Sequence, residues 1–258
     1  MVGGCGLVVA SGLSWRNADG IPRASALSRA ISYRLLLSIC LAVLVSFTLP
    51  GPWNRLSAIG YQLLGLVMLL TFAPVRARPG EGPWPGLFFR IVGGAALITG
   101  MFWYVTPVGM RGSGLPVLAL WGLFSVWSAI RLIEALSQER QVNFDVLRGA
   151  LAGYLMLGLS AGLVFSVLET IEPGSFSSDI LGTPEMAPNG PVWGLNFVRL
   201  NYFAFVCLTT TGFGDLYPVS ALAQILSVTV AMAGTLYLAV VLGVLISRLT
   251  QADRRHDG

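Results

Sequence analysis

The chain contains no lysine, one histidine and three cysteines, and charged residues make up only 11% of its 258 residues. A soluble domain of this size carries about 25% charged residues, so the composition excludes an ordinary soluble protein. The cysteines, Cys5, Cys40 and Cys207, lie too far apart for a metal site, and we interpret them as apolar packing residues. His256 lies in a polar tail and leaves no obvious catalytic base. We therefore expect no enzyme activity and no resident cofactor.

Hydrophobic residues instead make up 55% of the chain, in long runs separated by proline, glycine and arginine. A membrane-spanning helix needs about 20 predominantly apolar residues. Six candidate runs lie at 33–50, 57–75, 86–107, 115–137, 147–169 and 220–249. These runs predict an all-α membrane protein with six transmembrane helices.

The positions of the arginines predict the orientation of these helices, because cytoplasmic segments carry an excess of positive residues. If the N-terminus is inside, 13 of the 16 arginines lie at cytoplasmic ends or segments. The three exceptions are Arg55, Arg111 and Arg199. We therefore predict a multi-pass protein of the plasma (inner) membrane with both termini in the cytoplasm. The basic charge is explained by this topology, so no nucleic-acid partner is expected.

The loop between the last two runs contains the segment Thr209-Thr210-Thr211-Gly212-Phe213-Gly214-Asp215. The apolar stretch before it, 196–208, is too short to span a membrane and suits a re-entrant half-helix buried in protein. Glycine tolerates backbone angles that let consecutive carbonyls point to one side. At membrane depth such carbonyls need a partner, and dehydrated cations can supply it.

Residues Thr210 to Asp215 resemble the signature of the prokaryotic potassium-channel family, within the tetrameric cation-channel superfamily. Thr211 stands where that family usually has an aliphatic residue, and Phe213 where tyrosine is commoner. The resemblance covers roughly residues 148–250, including a pore-helix-like stretch at 201–209 and an exit strand at 216–220. A glycine–aromatic–glycine turn alone is a weak signal, but the threonines, the acid and the flanking apolar segments make it specific.

The resemblance implies a re-entrant pore helix and a selectivity filter between helices 5 and 6. Potassium ions would bind to backbone carbonyls of the filter residues Thr210, Thr211, Gly212, Phe213 and Gly214. Since one chain supplies one filter loop, closed rings of carbonyls require a homotetramer with a cyclic axis. The ions in the filter and the membrane lipid are then the other expected partners.

The residues expected to support the filter are Asp215, Tyr202, Phe203 and Val206. The family often has tryptophan at the positions of Tyr202 and Phe203, and some members have an acid at the position of Val206. Phe203 and Val206 cannot hydrogen-bond through their side chains. The sequence therefore predicts that Asp215 lacks two of its usual partners.

The last run is expected to form the inner helix of the pore. Gly234 stands where the family often bends on opening, and the alternative is that it serves plain helix packing. Gly243 is a second small residue that could act as a hinge. Thr235, Leu238, Leu242 and Ile246 share one α-helical face, and we predict that they line the cavity and the inner gate.

The resemblance also divides the chain into four parts. Residues 1–32 are expected to be a cytoplasmic tail, 33–146 a four-helix sensor-like domain, 147–249 the pore domain, and 250–258 a short cytoplasmic tail. A voltage sensor needs several arginines on one helix face. The run 115–137 has only Arg131, which is interpreted as an interface anchor, with voltage sensing left as an alternative. Strong voltage gating is therefore not expected.

Small residues four positions apart occur twice in the fifth run, as Gly149 with Gly153 and Gly158 with Gly162. Such spacing lets membrane helices approach closely. It could mark the packing of the outer pore helix on the inner one, or only the high glycine content of membrane helices.

The predicted function is a potassium-selective channel that conducts passively through the sequence Thr-Thr-Gly-Phe-Gly-Asp. One alternative is a less selective monovalent cation channel. Another is a non-conducting channel-like membrane subunit. A membrane enzyme would need a cluster of acids, histidines or cysteines within the apolar runs, and the sequence offers none.

Overall fold

The computed structural model describes residues 23–49, 56–72, 84–105, 114–137, 144–177, 195–244 and 247. The described part of the chain is mostly helical. In chain order its elements are α1 (Arg23–Ser46), α2 (Leu56–Phe72), α3 (Trp84–Val105), α4 (Leu115–Ser137), α5 (Phe144–Ile171), β1 (Phe176–Ser177), α6 (Leu195–Leu208), β2 (Tyr217–Pro218), α7 (Ala221–Leu236) and a π-helical turn (Tyr237–Leu242).

Three of the described helical segments are long and apolar enough to cross a membrane. They are Leu115–Leu136, Phe144–Ile171 and Ala221–Leu242. Shorter apolar helices are Ile31–Ser46, Ala58–Thr71, Gly86–Phe102 and Phe197–Leu208. Because a helix satisfies its backbone hydrogen bonds internally, these segments are suited to a membrane. Six complete spans remain a prediction.

Helix α1 begins at Arg23, although the sequence predicts a tail as far as residue 32. Hydropathy locates the apolar part of a segment, whereas a helix continues for as long as its residues favour helical backbone angles. The residues from 23 to 32 include alanine, leucine and arginine, which are good helix formers. Helix α1 therefore includes residues 23–32 of the predicted cytoplasmic tail, whose location stays a prediction, and residues 1–22 lie outside the described part.

Helices α1 to α4 pack around one another and against α5. α1 contacts α2 and α5, α3 contacts α2 and α4, and α4 contacts α5. The buried side chains form one large apolar cluster from α1 to α5, which also takes in Phe197 of α6. A second, smaller cluster joins α5, α6 and the start of α7, with Phe165, Phe176 and Phe203 among its members. Helix α6 therefore contributes to both clusters.

Two polar contacts also connect α5 to the first half of the chain. Arg34 of α1 forms a bidentate ion pair with Asp145, through Nε at 2.7 Å and Nη2 at 2.9 Å. Arg148 binds the same carboxylate at 2.6 Å. In the buried interface between α4 and α5, the hydroxyls of Ser125 and Ser160 are 2.7 Å apart. Polar contacts thus join α1 to the start of α5 and α4 to the middle of α5.

Arg131 is half-buried near the C-terminal end of α4. Its guanidinium lies 5.1 Å from the ring centroid of Phe89 and 5.8 Å from that of Trp127. Cation–π contacts of this kind stabilise an arginine beside apolar surface. The contacts are compatible with an interface anchor, and they leave the alternative of voltage sensing open.

The glycines of α5 permit close approaches to three other helical elements. A Cβ on Gly149 would meet the ring of Tyr33 in α1, and one on Gly153 would meet the hydroxyl of Tyr237. A Cβ on Gly158 would collide with the ring of Phe205. Gly162 faces Asn201 in the same way. The second Gly-x-x-x-Gly pair therefore packs on α6, whereas Gly153 faces the inner helix that the sequence suggested.

Candidate functional site

The segment of interest begins where α6 ends. Three successive amides continue the hydrogen bonding of the helix past Leu208. The Thr209 amide donates to the Phe205 carbonyl at 2.9 Å, the Thr210 amide to Cys207 at 2.9 Å, and the Thr211 amide to Val206 at 3.0 Å. Thr209 to Thr211 are therefore bound to the last turn of α6, and any rotation of α6 moves them with it.

Beyond this turn, the backbone adopts a left-handed conformation at every second residue. The φ angle is +56° at Thr210, +62° at Gly212 and +78° at Gly214. Thr211 and Phe213, between them, have negative φ. A backbone whose handedness alternates in this way can turn successive carbonyls to one side, unlike a strand. Glycine accepts this conformation without penalty, but Thr210 does not.

The carbonyl groups of this segment have no internal partner. Within the described residues, no hydrogen bond is donated to the carbonyl oxygens of Thr210, Thr211, Gly212 or Phe213. The whole stretch 209–214 is exposed on the single chain. The Oγ1 atoms of Thr209 and Thr211 are 2.7 Å apart. The segment therefore offers a row of backbone oxygens as free ligands for a cation.

Side chains do not provide an alternative metal site in the described part of the chain. Groups of three or more histidine, cysteine, aspartate or glutamate residues that could hold a metal ion are absent there. Backbone carbonyls bind hard, weakly charged cations by replacing their hydration shell. The backbone oxygens of the segment are ligands of this kind.

At the C-terminal end of the segment, Tyr202 contacts two of its residues. The Tyr202 hydroxyl donates a hydrogen bond to Oδ2 of Asp215 at 2.9 Å. Its ring stacks on that of Phe213, with centroids 6.4 Å apart and planes within 5° of each other. The other carboxylate oxygen, Asp215 Oδ1, is buried without a hydrogen-bond partner among the described residues. Tyr202, one of the residues predicted to support the segment, is thus a side-chain partner of Asp215.

The other two predicted supporting residues, Phe203 and Val206, belong to α6 and are buried. Phe203 packs on Phe165 at 5.6 Å and on Phe176 at 5.6 Å, measured between ring centroids. Val206 contributes its backbone carbonyl, which accepts the bond from Thr211. Phe203 therefore packs α6 against α5 and β1, and neither residue supplies a side-chain partner to Asp215.

The chain leaves the segment through β2, which is shorter than the exit strand predicted for 216–220 and pairs with a strand, β1, that was not predicted. β2 pairs antiparallel with β1, with Phe176 opposite Pro218 and Ser177 opposite Tyr217. The Val219 amide donates to the Ser175 carbonyl at 2.7 Å. Ser220 then caps α7, and its side chain accepts from the Ala223 amide. The exit of the segment is thus fixed to the turn that follows α5.

The inner helix meets the C-terminal end of α6 at Gly234. A Cβ added there would collide with the Leu208 carbonyl oxygen. The same oxygen accepts a hydrogen bond from the Tyr154 hydroxyl at 3.2 Å. Gly234 is buried, so the structure shows it as a packing position in this conformation. Its role as a hinge stays a prediction, as does that of the exposed Gly243, which has helical backbone angles.

The π-helical turn changes the predicted lining of the inner helix. A π turn contains more residues than an α turn, so it rotates the residues that follow. Thr235 and Leu238 are exposed on the single chain, whereas Leu242 is partly buried against the large apolar cluster. The residues therefore do not follow one α-helical period, and their place in the lining of the cavity and the inner gate stays a prediction. Ile246 lies outside the described residues.

Residues 154–251 match a family model described as "Ion channel". The matched region begins in α5 and includes α6, the segment Thr209–Asp215 and α7, and the first 153 residues lie outside it. No curated protein and no solved structure matches the chain significantly. Together with the apolar helices, the match supports a membrane protein with an ion-channel domain. It points to a channel or transporter and away from an enzyme.

Proposed function

We propose that the protein is a potassium-selective channel that conducts potassium passively through the segment Thr210–Gly214. The observation that carries this proposal is the left-handed φ at every second residue of that segment. Together with carbonyl oxygens that lack an internal donor, it provides stacked oxygen sites of the kind that replace the hydration shell of potassium. Neighbouring ions would then displace one another from site to site.

The proposed channel is a homotetramer. The carbonyls of one chain form only one side of each ring, and four copies around a cyclic axis would close it. The exposed apolar surface of α7 supports this assembly. Leu222, Ile225, Val228 and Met232 are each more than half exposed on the single chain. In the proposed channel, this surface would meet neighbouring subunits or lipid.

The proposed channel lies in the inner membrane, with six spans and both termini in the cytoplasm. The distribution of arginine supports this orientation, which places the segment Thr210–Gly214 towards the outside. The C-terminal end of α6 would then point into the pore. The partial negative charge of a helix C-terminus favours a cation there.

The proposal is tested by ion uptake into liposomes that contain the purified full-length protein. Potassium and sodium gradients are applied to the wild type, to Gly212→Ala and to Gly94→Ala. Alanine at position 212 must adopt a left-handed φ, which costs roughly 1–2 kcal/mol in each subunit. Gly94 of α3 is a matched control, because a Cβ there meets no atom within 4 Å. We expect uptake that favours potassium, that Gly212→Ala abolishes and that Gly94→Ala retains.

A less selective monovalent cation channel is the second candidate function. The hydroxyl of Thr211, 2.7 Å from that of Thr209, favours it because an aliphatic residue is usual at this position in the potassium-channel family. Equal uptake of potassium and sodium would support this candidate. Absence of uptake under every gradient, in protein that is folded and tetrameric, would favour a non-conducting subunit.

A further inference from the structure

A buried amide connects α6 to the first half of the chain. Asn201 has no exposed surface, and its Nδ2 donates to the Phe197 carbonyl one turn earlier, at 2.9 Å. Its Oδ1 accepts a hydrogen bond from the Tyr61 hydroxyl of α2, also at 2.9 Å. The two residues are 140 positions apart in sequence. The amide nitrogen thus forms a hydrogen bond within α6, and the amide oxygen forms one with α2.

The two hydrogen bonds allow only one orientation of the amide. The Phe197 carbonyl needs a donor, which only the amide nitrogen provides, and the Tyr61 hydroxyl can donate to the amide oxygen. A reversed amide would place its oxygen against the carbonyl oxygen of Phe197. The interaction is therefore specific in direction, unlike an apolar contact of the same area.

The surrounding side chains restrict α6 further. The Phe197 ring packs edge-on against Tyr61, with centroids 5.8 Å apart, and against Phe47, at 6.1 Å. Gly162 of α5 leaves room for the Asn201 amide, and a Cβ there would collide with it. The first two turns of α6 are therefore enclosed by residues of α1, α2 and α5. Buried polar pairs of this kind fix one helix position among several of similar apolar packing.

Asn201 lies about two helical turns before Leu208, where α6 ends. The amides of Thr209, Thr210 and Thr211 bond to the last turn of the same helix. A rotation of α6 by about 10° moves each of its Cα atoms by roughly 0.4 Å. Binding sites lose function when their atoms deviate by about 0.5 Å. A small rotation of α6 is therefore large enough to alter the carbonyl positions.

We propose that Asn201 and Tyr61 are positioning residues that set the rotation of α6 and thereby the ion selectivity of the segment Thr209–Asp215. The inference rests on the proposed channel function. It gives the four-helix half a specific task, because α2 then acts on ion selection through one hydrogen bond. The contact is made within one chain, so it exists in each subunit before any assembly.

The test compares Tyr61→Phe with Tyr33→Phe in the full-length protein. Tyr61→Phe keeps the ring that packs on Phe197 and removes only the hydroxyl, which donates to Asn201 at 2.9 Å and lies 3.5 Å from the Leu159 carbonyl oxygen. Tyr33 is a buried tyrosine of the same four-helix half that packs on Gly149 of α5, away from α6. Potassium and sodium uptake into liposomes gives the selectivity ratio. We expect Tyr61→Phe to lower the ratio by roughly fivefold, since it leaves a buried acceptor unpaired, and Tyr33→Phe to change it less than about twofold.

Asn201→Leu is a second, independent test, because leucine has a volume similar to that of asparagine but no amide group. We expect Asn201→Leu to lower the ratio as well, and the double variant with Tyr61→Phe to be no lower than Asn201→Leu alone. Selective wild-type uptake with an unchanged ratio in both single variants would overturn the inference, even if both variants melt earlier. Unselective uptake by the wild type would instead overturn the proposed function. The two failures are thus distinguishable.

Discussion

Replacement of Gly234 by alanine separates packing from hinge bending at this position. The added Cβ would collide with the Leu208 carbonyl oxygen, and it would lie 2.9 Å from the carbonyl carbon. The obstacle is backbone, so it cannot rotate away as a side chain could. Helices α6 and α7 would have to separate by more than about 1 Å to restore a normal C···O distance of about 3.3 Å.

The expected cost follows from two opposing effects. Overpacking of a well-packed interior typically costs about 1–3 kcal/mol, and a rigid obstacle places Gly234 at the upper end of that range. Alanine is about 1 kcal/mol more favourable than glycine in a helix interior, which offsets part of the cost. We expect a net loss of about 2 kcal/mol per chain. In a protein of this size, that loss lowers the melting temperature by roughly 4–8 °C.

The measurement is thermal unfolding of the purified protein in detergent, followed by circular dichroism, together with the fraction of tetramer. Gly243→Ala is the matched control, because Gly243 continues the same helix, is exposed and has open space at its Cβ. We expect Gly243→Ala to melt at or slightly above the wild-type temperature. If Gly234→Ala also melts at or above that temperature, the packing argument is refuted and the hinge hypothesis gains support.

Two further pairs of variants test the contacts around α6 and α7. Tyr237→Phe removes a buried 2.6 Å hydrogen bond to the Ala150 carbonyl, so we expect a loss of about 1 kcal/mol and a melting temperature lower by roughly 2–4 °C. Tyr202 is 40% exposed, so we expect Tyr202→Phe to lower the free energy of unfolding by less than Tyr237→Phe does. A larger loss for Tyr202→Phe would contradict the argument that the buried hydrogen bond is the stronger one. Gly158→Ala places a Cβ against the ring of Phe205 and should cost about 1–3 kcal/mol. Gly122→Ala meets only Val167, at 4.0 Å, and equal melting of these two alanine variants would show that the Phe205 ring simply moves aside.

The sequence predicted the approximate positions of seven helices, because apolar runs bounded by proline and glycine determine them locally. The short helix before the segment Thr209–Asp215 was predicted for 196–208 and observed as Leu195–Leu208. The polar start of α1 and the π turn Tyr237–Leu242 were not predicted. Hydropathy locates only apolar residues, so it does not indicate the polar start of α1. The π turn was not predicted because the sequence was interpreted with an α-helical period throughout. Nor could the pair of Tyr61 and Asn201 be predicted, since a single tyrosine and asparagine 140 positions apart give no local signal.

The positive φ of Thr210 is the feature of the candidate site that the sequence could not predict. A positive φ is a strained conformation for a β-branched residue and costs roughly 1–2 kcal/mol, so an ordinary turn would place glycine there. The amides of Thr209, Thr210 and Thr211 donate hydrogen bonds to the last turn of α6, and these bonds keep Thr210 in this conformation. Helix α6 is itself fixed by contacts of Asn201, Phe203 and Gly234. A strained residue persists only where its surroundings over-determine it, and such residues cluster at functional sites. The glycines at 212 and 214 could be found from the sequence, but the handedness of Thr210 depends on the packing of four helices around α6.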